Sequence, residues 1–261
     1  MGHNVHIPRK RFGQHFLCDP GVIEHIIASI APDSSQHVIE IGPGQGALTL
    51  PLLKLLGHLE VVELDRDLIP VLQERAAGLG ELTLHAADAL TFDFGALKKN
   101  DKSLRIIGNL PYNISTPLIF HLLTFSEQIS DMTFMLQKEV AERLAASTNN
   151  HHYGRLSVMT QYHCRVELLF NVPPSAFYPP PKVQSSIVRL VPHQTNPYQL
   201  KNAAIFSELV KTAFGMRRKT LRNSLRHMVT EQQWAEVNIA STLRAENLSV
   251  QQFVELSNVI G

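Results

Sequence analysis

The run IIGNLPYNIS, from Ile106 to Ser115, places two β-branched residues ahead of a glycine, an amide, a proline and an aromatic ring. Ile106 and Ile107 suit a buried strand. Asn109-Leu110-Pro111-Tyr112 is a poor packing unit, but its amide and ring could grip a flat group that carries an amine. Upstream, EIGPGQGALTL (Glu40 to Leu50) has glycines at 42, 44 and 46 directly after a strand-like run. Glycines there let the backbone approach a ligand closely before a helix begins, and Gly42-x-Gly44-x-x-Ala47 satisfies the looser dinucleotide fingerprint. A tight strand-to-helix turn with no ligand also uses glycine, so the loop says nucleoside cofactor without saying which. Glu63 closes the next strand about twenty residues on, where a carboxylate offers two acceptors to the hydroxyls of a ribose. Asp65 competes for that role, and a surface carboxylate at a strand terminus is the plain alternative. Asp88, in HAADALTF, follows a third strand; it can accept from the exocyclic amine of an adenine or cap the short segment after it.

These residues need a scaffold, and the pattern around them supplies one. Strand-like runs at HVIEI (37–41), LEVVEL (59–64), LTLHA (82–86), LRIIGN (104–109) and MTFMLQ (132–137) alternate with helical stretches such as ALTLPLLKLL and DLIPVLQERAAGL. That alternation argues for a parallel sheet with crossover helices. Two later runs, YHCRVELLFN (162–171) and QSSIVRLVP (184–192), are separated by VPPSAFYPPPKV, which is too rich in proline for a helix and reads as a rigid exposed loop. An antiparallel pair closing the sheet is expected there. From about Pro197 the pattern is purely helical. The expected division is 1–194 as the catalytic α/β domain and 195–261 as a small all-helical domain.

Length and composition allow this architecture: 261 residues, 44% hydrophobic and 18% charged, can bury a sizeable core. No apolar run is long enough to span a bilayer, and the N-terminal residues lack a signal-peptide core, so no membrane association and a cytoplasmic location are expected. Cys18 and Cys164 lie far apart with no metal-type spacing, so neither a disulfide scaffold nor a metal site is expected. A formal net charge of +1 gives no overall pull toward a polyanion, so any such binding must come from local clusters. One cluster is KTAFGMRRKTLRNSLRHM (211–228), with Lys211, Arg217, Arg218, Lys219, Arg222 and Arg226 and no acid. If helical, it puts Arg218, Arg222 and Arg226 on one face and Leu221, Leu225 and Met228 on another. Phosphate binding explains such a face better than solvation alone. Arg9, Lys10 and Arg11 add charge near the N-terminus. His151-His152, in a polar run, is expected to be a loop with no metal role.

Taken in order, RFGQHFL, EIGPGQGALT, NLPYNIST, PSAFYPPPKVQSS and RAENLSVQQFVELSN resemble the small-subunit rRNA adenine N6-dimethyltransferases along the whole chain. The resemblance implies a Rossmann-like class I methyltransferase sheet, mostly parallel with an antiparallel final strand. It further implies S-adenosyl-L-methionine as cofactor and two adjacent adenosines near the 3′ end of 16S rRNA, within the small ribosomal subunit, as substrate for a monomeric enzyme. By the same resemblance His15 and Leu17 line the cofactor pocket with Glu40, Gly42, Gly44, Gly46, Glu63, Asp88 and Asn109; His15 stands where asparagine is an alternative.

The chemistry follows from the residue types. An adenine N6 lone pair is delocalised into the ring, so acceptors at its hydrogens favour a pyramidal, nucleophilic nitrogen. The Asn109 oxygen is one acceptor, and the Leu110 or Pro111 carbonyl is another, since Pro111 has no N–H. Tyr112 can stack on the base. A second aromatic is expected on its other face from the proline-rich loop, with Phe177 favoured by the resemblance over Tyr178; the plain alternative is that Phe177 is a loop residue plugging a small core. Rival readings are an enzyme of the macrolide-resistance type acting on 23S rRNA, a dinucleotide-dependent oxidoreductase, and a non-catalytic RNA-binding assembly factor. The oxidoreductase leaves the Asn109–Tyr112 run and the basic helical segment unexplained.

Overall fold

The computed structural model describes residues 15–98 and 103–261. Arg9, Lys10 and Arg11 therefore lie outside the described residues. Two compact units are present, one of residues up to 141 with 167–192, the other of 142–166 with 193–261.

The first unit begins with β1 (Phe16–Leu17) and α1 (Pro20–Ile30), whose start is fixed by Asp19 accepting from the Val22 N–H and by proline at the first helical position. Strand β2 (His37–Ile41) is buried at every residue, as a central parallel strand must be. Then come α2 (Thr49–Leu56), β3 (His58–Glu63), α3 (Leu68–Ala76) and β4 (Glu81–Ala86). Strand β5 (Leu104–Asn109), α4 (Ser115–Leu123) and β6 (Ile129–Gln137) complete the alternation. After α5 (Lys138–Ala145) and α6 (Arg155–His163), the chain returns through β7 (Cys164–Val172), β8 (Phe177–Tyr178) and β9 (Ser185–Pro192).

Among the described residues, seven strands form one sheet in the order β4-β3-β2-β5-β6-β9-β7. Strands β4 to β6 in that order are parallel, and β9 runs antiparallel to β6, from Met132↔Leu190 to Gln137↔Ser185. The chain leaves β2 toward β3 and β4, then crosses to β5 on its other side. The switch point therefore falls between the C-terminal ends of β2 and β5, where ligands of such sheets bind. A separate two-stranded ribbon pairs Phe16 with Tyr178 and Leu17 with Phe177. At the opposite end of β5, Arg105 donates to Asp131 at 2.7 Å and to the Ile30 carbonyl at 2.7 Å, tying α1 to the sheet. Burial alone pushes the Asp131 carboxyl up, but the guanidiniums of Arg105 and Arg189 outweigh it and hold the carboxyl below its usual range.

The second unit contains α6 together with α7 (Ala203–Gly215), α8 (Leu221–Ser224), α9 (Glu231–Glu236) and α10 (Val250–Ile260). Its core packs Phe206, Leu209, Trp234 and Phe253 with Tyr153 and Val158. The helical unit is thus larger than residues 195–261, because 142–166 pack with the C-terminal helices. Residues 211–228 do not form one helix. Helix α7 stops at Gly215 and α8 restarts after Thr220, so Arg218 sits in the intervening turn and the expected stripe with Arg222 and Arg226 is interrupted. Among the described residues no helix is long and apolar enough to cross a membrane.

Candidate active site

A cavity of about 310 Å³ opens at the β2/β5 switch point. Its floor is the turn after β2, where Gly42, Gly44 and Gly46 have φ of 66°, 57° and 87°, a left-handed region costly for other residues. The three glycines do different things. A Cβ at Gly42 would meet nothing closer than the Asn109 carbonyl at 3.8 Å, so this position keeps the cavity open. A Cβ at Gly44 would press on the Phe16 ring at 3.2 Å. A Cβ at Gly46 would lie 2.8 Å from Leu72 Cδ1, and Gly46 does not line the cavity; its smallness serves the packing of α2 on α3.

Two carboxylates frame the turn. Glu63 ends β3 and is 7% exposed; its Oε2 accepts from the Gly44 N–H at 3.3 Å and its Oε1 from the Asp65 N–H at 2.7 Å. Burial raises its pKa, partly offset by those backbone donors. Each oxygen keeps a lone pair for a further donor. Glu40, in β2, is buried and accepts from Thr49 Oγ1 at 2.6 Å; burial pushes its carboxyl up to about 8, so it is mostly protonated at neutral pH. Asp88 also lines the cavity. Its Oδ1 accepts from the Leu90 N–H at 2.9 Å, so it does cap its turn, while Oδ2 has no donor among the described residues.

Asn109 projects from the end of β5. Its Nδ2 donates to the His15 carbonyl at 3.1 Å, which leaves Oδ1 without a donor among the described residues. The same test separates the two backbone acceptors expected beside it. The Pro111 carbonyl already accepts from the Ile114 N–H at 3.1 Å, whereas the Leu110 carbonyl accepts from none of the described residues. Leu110 is therefore the carbonyl with both lone pairs uncommitted among the described residues, whereas Pro111 keeps one. Tyr112 is half-buried, its hydroxyl 2.7 Å from Ser185 Oγ and its ring 5.7 Å from that of His15 at 27°. His15 Nδ1 in turn lies 2.7 Å from the Pro179 carbonyl.

The structure does not bring Phe177 to the cavity. It is 3% exposed and packs in the main core with Leu17, its partner across the ribbon, whereas Tyr178 is 66% exposed. Alternation along a strand sends neighbouring side chains to opposite faces, which is why one ring is buried and the next is not. Leu17 and His15 do line the cavity, and Leu64 and Ala89 add apolar lining that the acidic residues beside them had overshadowed. Sequence reasoning also missed Ser185, which reads as an ordinary strand residue in PKVQSS.

In the second unit, Arg217 donates to the His151 carbonyl at 2.7 Å and lies 3.5 Å from Glu246, while Arg222 pairs with Glu231. Arg218, Lys219 and Arg226 are exposed with no acidic partner among the described residues. His151 packs on His152, which lies 3.5 Å from Glu142; among the described residues no group of side chains is suited to a metal.

A glycine turn and an acid-closed strand beside an Asn-Leu-Pro-Tyr run, on a parallel sheet ending in a reversed strand, define a class I methyltransferase fold. A crystal structure of a dimethyladenosine transferase from Plasmodium falciparum superimposes with a TM-score of 0.77 at 30% identity, over 93% of this chain and 96% of that one. The 23S rRNA methyltransferase ErmE shares the fold, with a TM-score of 0.71 at 24% identity over 94% of this chain and 99% of that one. The ribosomal RNA small subunit methyltransferase A of Chromohalobacter salexigens is 56% identical over 97% of this chain and 92% of its own. The profile of the ribosomal RNA adenine dimethylase family matches residues 5–261, and the chain belongs to that family.

Proposed function

We propose that this chain transfers methyl groups from S-adenosyl-L-methionine to N6 of two adjacent adenosines near the 3′ end of 16S rRNA, giving N6,N6-dimethyladenosines. In this reading it acts as a cytoplasmic monomer on the small ribosomal subunit, late in assembly. The observation that carries it is the Asn109 carboxamide, whose nitrogen is engaged by the His15 carbonyl and whose oxygen has no donor among the described residues.

The donor set suits the cofactor. Glu63 and Asp88 place acceptor oxygens on the cavity wall for ribose hydroxyls and an adenine amine, and Leu64 and Ala89 supply apolar contact for a ring. When bound, S-adenosylmethionine supplies a methyl group already activated by its sulfonium. The chain's own work is then orientation and charge placement. In the first transfer Asn109 Oδ1 and the Leu110 carbonyl accept from the two N6 hydrogens, and in the second, one of them accepts from the remaining N–H. This draws the nitrogen out of conjugation and frees its lone pair. Tyr112 stacks on the base, a contact of about 1–3 kcal/mol. No strong base is needed before attack, because the methylated nitrogen loses its proton readily to water. Arg218, Lys219 and Arg226, with no acidic partner among the described residues, offer charge for RNA phosphates.

The test is transfer of labelled methyl to unmethylated small subunits, with large-subunit rRNA alongside and the product resolved into mono- and dimethyladenosine. Dimethyladenosine on the small subunit alone supports the proposal. Label on the large-subunit RNA would retain the chemistry and move the substrate, and label on neither would remove the activity.

A further inference from the structure

We propose that Ser185 is a positioning residue for methyl transfer: its hydroxyl holds the Tyr112 ring in the orientation that receives the base. The proposal rests on the methyltransferase reading above and goes beyond it, since Ser185 neither lines the cavity nor belongs to the Asn109–Tyr112 run.

Tyr112 stands on a turn, not on the sheet, so two side-chain torsions must be fixed by something else. Its main chain is held locally, with Ser115 Oγ donating to the Tyr112 carbonyl at 3.2 Å. Its ring has His15 on one side, at 5.7 Å. Its hydroxyl has Ser185 Oγ at 2.7 Å as its polar partner among the described residues. His15 limits where the ring can swing, and the hydroxyl contact is the hydrogen bond that holds the far end of the side chain among the described residues.

The anchor itself is rigid. Ser185 is the first residue of β9, 0% exposed, and faces Gln137 in a register that runs unbroken to Leu190. A group mounted on a strand deep in a sheet holds its partner more precisely than one on a loop. Burial raises the Tyr112 pKa, so the hydroxyl stays protonated and free to donate or accept in this contact. Misplacing a reacting group by a fraction of an ångström lowers the rate of a step that depends on alignment, without weakening ligands bound elsewhere in the cavity.

The test compares the full-length parent with Ser185→Ala, Ser185→Thr, Tyr112→Phe and the double variant Ser185→Ala with Tyr112→Phe. kcat and KM are measured on unmethylated small subunits, and Kd for adenosylhomocysteine by calorimetry. Ser185→Ala and Tyr112→Phe should each lower kcat by about ten- to a hundredfold with Kd unchanged. The double variant should be no worse than either single one, because both remove the same contact, and Ser185→Thr should recover most of the rate. Losses that multiply in the double variant, or a Ser185→Ala enzyme with parental kcat, would overturn the proposal. If Ser185→Ala does not fold, a Tyr112→Phe enzyme with parental kcat overturns it equally. A parent that methylates neither rRNA sinks the function itself, and this proposal with it.

Discussion

Asn109 and Glu63 lie on the same cavity, yet their losses should be read by different instruments. In the proposed mechanism Asn109 accepts from the substrate amine, so Asn109→Ala should reduce transfer by at least about a hundredfold, the scale of losing one preorganised hydrogen-bonding group. Its Kd for adenosylhomocysteine should stay near the parent's; equal activity of variant and parent would end the acceptor role. Glu63→Ala should instead weaken cofactor binding by about ten- to a hundredfold, since hydrogen bonds to a charged group contribute about 1.5–3 kcal/mol. An unchanged Kd would remove Glu63 from the ribose. Glu40 gives a test that needs no ligand. Its carboxyl keeps its proton to about pH 8 in the folded chain, against 4.5 when unperturbed. The stability tied to that proton is complete below the lower value, erodes as pH rises, and is lost above the upper one. Glu40→Gln cannot ionise, so its melting temperature should vary less across that window and exceed the parent's at pH 8.5, by a stability difference on the order of 2–4 kcal/mol. Parallel melting curves against pH would contradict the assignment. At this scale the sequence was legible where chemistry dictates residue type. It was silent on which carbonyl is less committed, because that depends on the Ile114 N–H reaching back to Pro111. Nor could it show that Phe177 faces Leu17 and not the cavity, since this depends on register in a ribbon joining distant segments.

The glycine turn shows how an element can be read correctly as a unit and wrongly residue by residue. All three glycines fit the fingerprint, and all three have positive φ, but only two line the cavity. Gly46→Ala combines left-handed strain of about 1–2 kcal/mol with overpacking against Leu72 and Leu50 of about 1–3 kcal/mol. It should lower stability clearly, in denaturant melts, while the folded fraction binds cofactor. Gly42→Ala has space for its methyl and should cost stability only through strain, yet it intrudes where a ligand would lie and should weaken cofactor binding more. The reverse ranking would mean that Gly46, not Gly42, is the close approach. The strands from β2 to β6 were legible because a buried parallel strand writes itself locally as a short apolar run. The β1–β8 ribbon was not, since two-residue strands leave no periodicity to read.

Across the whole molecule, the harder features were those set by partners far away in sequence. Helix α6 follows the strand–helix pattern of the first unit, but Tyr153 and Val158 find their core among the C-terminal helices; Tyr153 also donates to the Leu248 carbonyl at 3.0 Å. The same applies to charge. Read alone, 211–228 is a run of cations without an acid, but folding brings Glu246 to Arg217 and Glu231 to Arg222. Of the proposed RNA-facing cations in 211–228, Arg218, Lys219 and Arg226 are those with no acidic partner among the described residues. On a chain of formal net charge +1, phosphate contacts in this unit are assigned, under the proposed function, to that local cluster. Each phosphate contact releases counterions, which gives binding a measurable salt slope. Replacing Arg218 and Lys219 together by alanine should weaken binding to a small-subunit rRNA fragment and reduce the log–log salt slope by about 1.4–1.8, with cofactor Kd unchanged. Glu231→Gln should act in the opposite direction, since it frees Arg222 from its partner and adds a cation to the same surface. If the alanine variant keeps the parental slope, RNA does not touch this turn. If Glu231→Gln weakens binding, Arg222 contributes by holding the Glu231 end of the unit in place, and not by its charge.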